Sequence, residues 1–251
     1  VSSRQTSKMT FRISLLLLSW IISLASVSSF VTPTTGPSRS SFLRRHGTAD
    51  DGVGIEPVDM GDVGFVVLAG GKGSRMKAGM PKQFLELLKV PILHHSLDLF
   101  LERLPAFLSS KDTAAPPFVV LVIDPSYQAE YQPIVDRYAG RLVFANPGIE
   151  RQGSVKNGLD KLVEVSQGKC QMVAIHDSAR PLVTISEVCN VVRDCKEHGA
   201  AVLGVPCKAT IKESEDGETV LRTIPRARLW EVHTPQAGSY TNLTLPEDDS
   251  V

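Results

Sequence analysis

The residues of this chain best suited to chemistry lie between Val63 and Gln83, in the stretch V-G-F-V-V-L-A-G-G-K-G-S-R-M-K-A-G-M-P-K-Q. An apolar run of strand type, Gly64 to Leu68, leads into Gly70, Gly71 and Gly73, which permit positive φ and close backbone approach to a ligand. A loop of this kind aims several N–H groups at one anion. Phosphate gains most from such a nest of amides, which a helix N-terminus often completes. Arg75, Lys77 and Lys82 add fixed positive charge. The bland alternative is an ordinary strand-to-helix turn with solvated basic residues, and three cations on a glycine loop weigh against it. Two common phosphate loops fail on spacing. A G-x-G-x-x-G fingerprint needs glycine where Met76 stands, and a P-loop needs glycine where Val66 stands.

Two further polar segments follow apolar runs. Asn146 to Ser154 comes after Arg141 to Ala145 and opens a helix from Val155, so Ser154 reads either as that helix's N-cap or as a ligand contact. His176-Asp177-Ser178-Ala179-Arg180-Pro181 comes after Met172 to Ile175. A carboxylate at such a place suits Mg²⁺ held against a triphosphate, because magnesium takes hard oxygen ligands and keeps several waters. Capping a helix or pairing with Arg180 is the competing role for Asp177, and His176 reads as structural.

The elements that must position these residues follow from apolar patterning. Pro91 to Leu104 carries Leu93, Leu97, Phe100, Leu101 and Leu104 at helical spacing. Phe118 to Ile123 and Arg141 to Ala145 are continuous apolar runs, which in strands means that both faces are covered, as in a parallel sheet. Val155 to Val165, Met172 to Ile175, Ser186 to His198 and Ala200 to Val205 continue the alternation of helix and strand. The expected fold is therefore α/β, a three-layer, doubly wound, Rossmann-like sheet with its ligand beyond the carboxyl ends of the strands. Thr210 to Lys212 and Val220 to Ile224 flank a turn containing Asp216-Gly217, a hairpin signal. A lone hairpin is marginal in water, so this protruding β-hairpin arm, about 206–228, is expected to lie on a partner subunit.

At 251 residues and 42% hydrophobic content the chain can bury a sizeable core. The formal net charge is zero, but no acidic residue precedes Asp50, while Arg4, Lys8, Arg12, Arg39, Arg44 and Arg45 do. Removing those six from 27 basic residues leaves 21 against 27 acidic ones, a net of −6, which argues against nucleic acid as a partner. Residues 1–60 are therefore set apart from a body at 61–236. Ile13 to Leu24 is shorter than the roughly 20 residues a membrane span needs, so no permanent anchor is expected, and small residues follow it as in a signal peptide. Phe30 to Ala49, rich in Ser, Thr, Pro and Arg, has transit-peptide composition. The two in tandem resemble the bipartite presequence of plastids bounded by extra membranes, with a simple secretory signal as the rival. Cys170, Cys189, Cys195 and Cys207 lack metal-ligand spacing and read as buried apolar residues of a reducing compartment, consistent with a plastid stroma.

Leu68, Gly71, Gly73, Arg75, Met76, Pro81 and Lys82 resemble the signature of nucleotidyltransferases that join a nucleoside triphosphate to a phosphorylated small molecule. Together with G-I-E-R-x-x-S-V, H-D-S-A-R-P, A-T-I-K and R-x-R-L-W-E-V-H-T-P-Q, in that order up to Gln236, the body resembles the 2-C-methyl-D-erythritol 4-phosphate cytidylyltransferase family. The resemblance implies that CTP and a methylerythritol phosphate react with Mg²⁺ as cofactor to give the CDP-alcohol and pyrophosphate. It assigns Arg75, Lys82 and Arg226 to catalysis. Contacts to CTP fall to Ala69, Gly70, Gly71, Gly73, Gly148, Ser154 and Ala179. Contacts to the acceptor fall to Asp177, Arg180, Thr210 and Arg226, with Asp177 also nearest the metal. It implies a homodimer through the arm, whose Thr210 and Arg226 would complete the partner's site.

After Gln236 the family has a further helical segment, a substrate-binding lysine and a final strand and helix. Here 237–251 is polar and lacks apolar period, and is expected to be an aberrant tail. Two alternatives stand beside the family reading: a ribitol-5-phosphate cytidylyltransferase, which shares the glycine loop, and a truncated, catalytically impaired homologue acting as a dimer partner.

Overall fold

The computed structural model describes residues 9–12, 58–71, 79–109 and 116–240. Its sheet is built from β1 (Met9–Arg12, backbone only), β2 (Val63–Leu68), β5 (Phe118–Val122), β6 (Leu142–Ala145), β7 (Met172–Asp177), β8 (Ala200–Pro206) and β11 (Trp230–Ser239). Between these lie two small two-stranded sheets, β3 (Glu86–Leu87) with β4 (Val90–Pro91) and β9 (Ile211–Glu213) with β10 (Arg222–Ile224). The helices are α1 (Ile92–Asp98) and α2 (Leu104–Ser109), joined by a π-helical turn Leu99–Arg103, then α3 (Pro125–Arg137), α4 (Arg151–Ser166) and α5 (Ile185–His198).

Strand order is β1-β8-β11-β7-β2-β5-β6. β2 pairs in parallel with both β5 and β7, and β5 with β6, while β11 runs antiparallel between β7 and β8. The chain proceeds from β2 outward to β5 and β6, then returns across β2 to place β7 on its other side. That reversal is the topological switch point at which open α/β sheets bind ligands. Alternate residues of β2 bury into opposite faces. Val63, Phe65 and Val67 pack with Leu93, Phe100, Leu104, Tyr131 and Val188, whereas Val66 packs with Val155, Leu159 and Leu162 of α4. Both faces being covered explains why these strands read as continuous apolar runs. The expected α/β, three-layer architecture is observed, with the antiparallel β11 making the sheet mixed.

Several elements differ from expectation. The helix expected over Pro91 to Leu104 runs on to Ser109 through its π turn. Helix α3 was not legible in the sequence. It buries only Tyr131 and carries Pro133, so it has almost no apolar period, although Asp124 caps its N-terminus ahead of Pro125. β11 was hidden because Pro235 and Gly238 argue against a strand. Its register shifts between Val232 and Gln236, so Pro235 falls in the irregularity where no ladder N–H is needed. The sheet also passes Gln236: Ala237, Gly238 and Ser239 pair with β7 and Tyr240 N donates to Gln171 O, so these residues belong to the body rather than to a tail. At the other boundary Val58 and Met60 are core residues.

The backbone of Met9–Arg12, within the expected presequence, pairs antiparallel with β8. The signal and transit segments at 13–57 and the end at 241–251 lie outside the described residues. No described helix is long and apolar enough to cross a membrane. All four cysteines are free and buried, as expected, and burial pushes the Cys189 and Cys195 thiols up to about 11 and about 12. The arm is the expected hairpin. Its turn is tied by Asp216, whose Oδ1 accepts from Glu218 N at 2.8 Å and Thr219 N at 2.7 Å, with Gly217 at φ +77°.

Candidate active site

A cavity of about 840 Å³ opens at the switch point, lined among others by Gly70, Gly71, Lys82, Gly148, Asp177 and Arg180. The sheet itself makes this juxtaposition. Leu68, last residue of β2, is the register partner of Asp177, last residue of β7, so the glycine segment and the aspartate leave the sheet side by side. A third wall comes from the turn after β6. A Cβ on Gly70 would stand 2.4 Å from Pro147 Cβ, so only glycine lets the two segments touch. The turn is equally tight within itself, since a Cβ on Gly148 would lie 2.5 Å from the Gly153 carbonyl carbon.

Buried hydrogen bonds hold the glycine segment. Ala69 N donates to Val122 O at 2.7 Å, and Gln83 Nε2 donates to Ala69 O at 2.6 Å and Gly71 O at 3.0 Å. The N–H of Ala69 is thus spent on the sheet, which removes it as a donor to a ligand. Gly71 differs: a Cβ there would meet nothing within 4 Å. Nothing in the described protein demands glycine at this exposed position. Lys82 begins the 3₁₀ turn Lys82–Phe84, anchored by Phe84 stacking at 4.2 Å on Tyr127 of α3.

The Asp177 wall is also fixed from behind. Ser178 Oγ donates to Leu68 O at 2.8 Å, and Ser96 Oγ of α1 donates to Ser178 O at 3.0 Å. Asp177 N donates to Thr234 Oγ1 at 3.1 Å, and the same hydroxyl lies 3.2 Å from His176 Nδ1. The imidazole is fully buried against Phe100, and burial lowers its pKa to about 4, so it is neutral at physiological pH. His176 is structural, as expected. The Asp177 carboxylate meets two guanidiniums, Arg151 Nη2 at 3.2 Å from Oδ1 and Arg180 Nε at 3.7 Å from Oδ2.

Helix α4 starts at Arg151, so Ser154 lies inside it and is not its N-cap. Ser154 Oγ instead accepts from Gly148 N at 3.0 Å and donates to Glu150 O at 3.1 Å, closing the turn on the helix. This role was not legible from residue order, because a serine immediately before the apolar-periodic Val155 looks like a cap.

Of the residues singled out from sequence, Gly70, Gly71, Lys82, Gly148, Ser154, Asp177, Ala179 and Arg180 line one cavity. Thr210 and Arg226 do not. They sit at the base of the arm, where Arg226 Nη1 donates to Lys208 O at 3.2 Å. Gly73 and Arg75 lie outside the described residues. Sequence reasoning passed over Gln83 and Arg151. A glutamine beside the loop lysine carries no signal of its own. Arg151 stands in the G-I-E-R motif, but the expected helix begins only at Val155, so no role attaches to it.

The sequence profile of the 2-C-methyl-D-erythritol 4-phosphate cytidylyltransferase family matches residues 63–246. The chain is 44% identical over 211 residues to the chloroplastic enzyme of that name from Oryza sativa subsp. japonica, a match covering 80% of this chain and 66% of the rice protein. It is 34% identical over 194 residues to the enzyme of that name from Desulforamulus reducens, covering 76% of this chain and 77% of that one. The fold is that of the 4-diphosphocytidyl-2C-methyl-D-erythritol synthase of Anaerococcus prevotii, with a TM-score of 0.58 at 21% identity over 73% of each chain.

Proposed function

The chain belongs to the 2-C-methyl-D-erythritol 4-phosphate cytidylyltransferase family, and from that premise we propose that it transfers CMP from CTP to 2-C-methyl-D-erythritol 4-phosphate, releasing pyrophosphate, in isoprenoid biosynthesis. The observation that carries this reading is the pairing of Leu68 with Asp177, which puts the glycine segment, Lys82 and the carboxylate into one cavity. The names of the relatives give no support to ribitol 5-phosphate as acceptor or to a role confined to dimerisation.

In the reaction a phosphate oxygen of the acceptor attacks the α-phosphorus of CTP in line, a P–O bond forms, and the bond to the β-phosphate breaks with pyrophosphate leaving. Such chemistry needs positioning and charge neutralisation more than covalent help. Lys82, with Arg75, stabilises the crowded oxygens of the α-phosphate. Gly71 leaves its backbone open to a phosphate, since among the described residues no atom would meet a Cβ there. The turn at Gly148, held by Ser154, shapes the pocket for cytosine, and Arg180 and Asp177 orient the acceptor.

Asp177 also fits Mg²⁺. Its carboxylate offers hard oxygens to the cavity. Magnesium is commonly held by one or two carboxylates together with substrate phosphates, so Asp177 and the nucleotide would hold it here. Bound there, magnesium supplies charge neutralisation at the phosphates.

Thr210 and Arg226 act on the acceptor phosphate in the partner's cavity, so the working unit is a homodimer joined through the arm. The exposed Val220 and Leu221 on this hairpin support that assembly. The chloroplastic rice relative supports a plastid location, reached through the signal-type segment at Ile13 to Leu24 and the transit-type segment at Phe30 to Ala49.

The test is pyrophosphate release from CTP and Mg²⁺ with each acceptor. We expect turnover with methylerythritol phosphate. Turnover only with ribitol 5-phosphate, or with neither, contradicts the proposal.

A further inference from the structure

We propose that Arg151 is an ion-pair latch on Asp177: without nucleotide it engages the carboxylate oxygen that a divalent cation needs, and a triphosphate draws it away. This inference rests on reading the cavity as a nucleotide site and assigns that site an order of events.

Three observations carry it. The carboxylate is shared by two cations, with Arg151 at 3.2 Å making the closer contact and Arg180 at 3.7 Å the looser one. A divalent ion at Oδ1 would have a guanidinium for a neighbour, which repels it, so Arg151 must move before the ion can settle. Second, Arg151 is the first residue of α4. No acidic residue occupies that first turn, and Glu150 provides no side-chain cap. A cation there faces the positive end of the helix dipole, so the helix gains nothing from it. Its partner is the carboxylate on β7, 26 positions away in sequence. Third, Arg151 and Asp177 are both half-exposed within the cavity wall, with side chains 43% and 30% accessible. A pair this open is weak and exchanges easily. A polyphosphate offers Arg151 bidentate, more highly charged oxygens, and the uncapped helix end attracts the same anion.

Metal binding at Asp177 is therefore coupled to nucleotide: Arg151 leaves Oδ1 for the phosphates, and the carboxylate becomes available when the ion's other ligands have arrived. The latch suppresses futile occupation of the site by free divalent cation.

The experiment is a Mn²⁺ titration of the full chain without nucleotide, followed by electron paramagnetic resonance. It compares the wild type with Arg151→Gln, Arg151→Lys and the double variant Arg151→Gln/Asp177→Asn, with far-ultraviolet circular dichroism confirming the fold of each. We expect Arg151→Gln to bind Mn²⁺ about fivefold tighter than the wild type, the scale of a partly exposed ion pair. Arg151→Lys, which keeps the charge, should stay near the wild type, and the double variant should lose the gain. Equal or weaker Mn²⁺ binding by a folded Arg151→Gln overturns the latch. Pyrophosphate release by the wild type, measured alongside, separates the two readings. Turnover together with equal Mn²⁺ affinities rejects the latch alone, whereas no turnover rejects the nucleotide site beneath it.

Discussion

The cavity wall and the arm are built on opposite principles. Around the cavity each site segment is backed by a buried side chain from another element: Gln83 behind the glycine segment, Ser96 and Thr234 behind Asp177, and Ser154 behind Gly148. Among the described residues the arm has no such support: β9 and β10 pair with one another and with no other described strand, and Ile211, Val220 and Leu221 stay exposed. The backbone of the wall is held in place by its own fold, which leaves only side chains such as Arg151 to rearrange around a ligand. The arm carries Thr210 and Arg226 at its base, away from the cavity, and the proposed function places their role in an assembly.

The contrast is broken most severely at Lys82. Lys82→Ala should lower kcat/KM by roughly 100- to 1000-fold, the loss expected for one preorganised donor, with an unchanged melting curve. An unchanged rate would remove Lys82 from catalysis.

The next largest effect concerns the support behind Asp177. His176 has its folded pKa lowered by burial from 6.5 to about 4, so the unfolded chain takes up the proton first. Stability from this group is therefore full above pH 6.5 and falls as the pH drops toward 4, by about 3 kcal/mol in all. Urea unfolding across that range should show the slope, and His176→Gln should flatten it.

A smaller effect is expected behind the glycine segment. Gln83→Ala leaves the carbonyls of Ala69 and Gly71 without their donor and should cost about 1–3 kcal/mol in urea unfolding, with CTP binding weakened as the loop loosens. A variant as stable as the wild type would show that the wall does not depend on this brace.

The arm should respond least in the folded monomer and most in association. Val220→Ser with Leu221→Ser should change monomer stability by about 0.5 kcal/mol or less. In sedimentation velocity the same variant should dissociate about tenfold more readily if the proposed dimer buries the exposed apolar area of the arm. Unaltered association would detach the arm from the interface.

The strands that carry the cavity were legible because parallel strands covered on both faces are apolar throughout, as in V-G-F-V-V-L. The glycines and Lys82 were legible from residue type and order. What escaped was set by tertiary context. α3 buries one side chain and so has no period, and β11 hides behind Pro235. The bracing role of Gln83 depends on carbonyls more than ten positions away. Arg151 could be recognised as a partner of Asp177 only when the start of α4 and the end of β7 met at the cavity.

The most direct measurement is diffraction from crystals of the chain grown with CTP and Mg²⁺. We expect the triphosphate along Gly70 and Gly71 with Lys82 on the α-phosphate, cytosine against Gly148, and the metal between the phosphates and Asp177. Nucleotide bound elsewhere on the molecule, with that cavity filled only by solvent, would contradict the assignment.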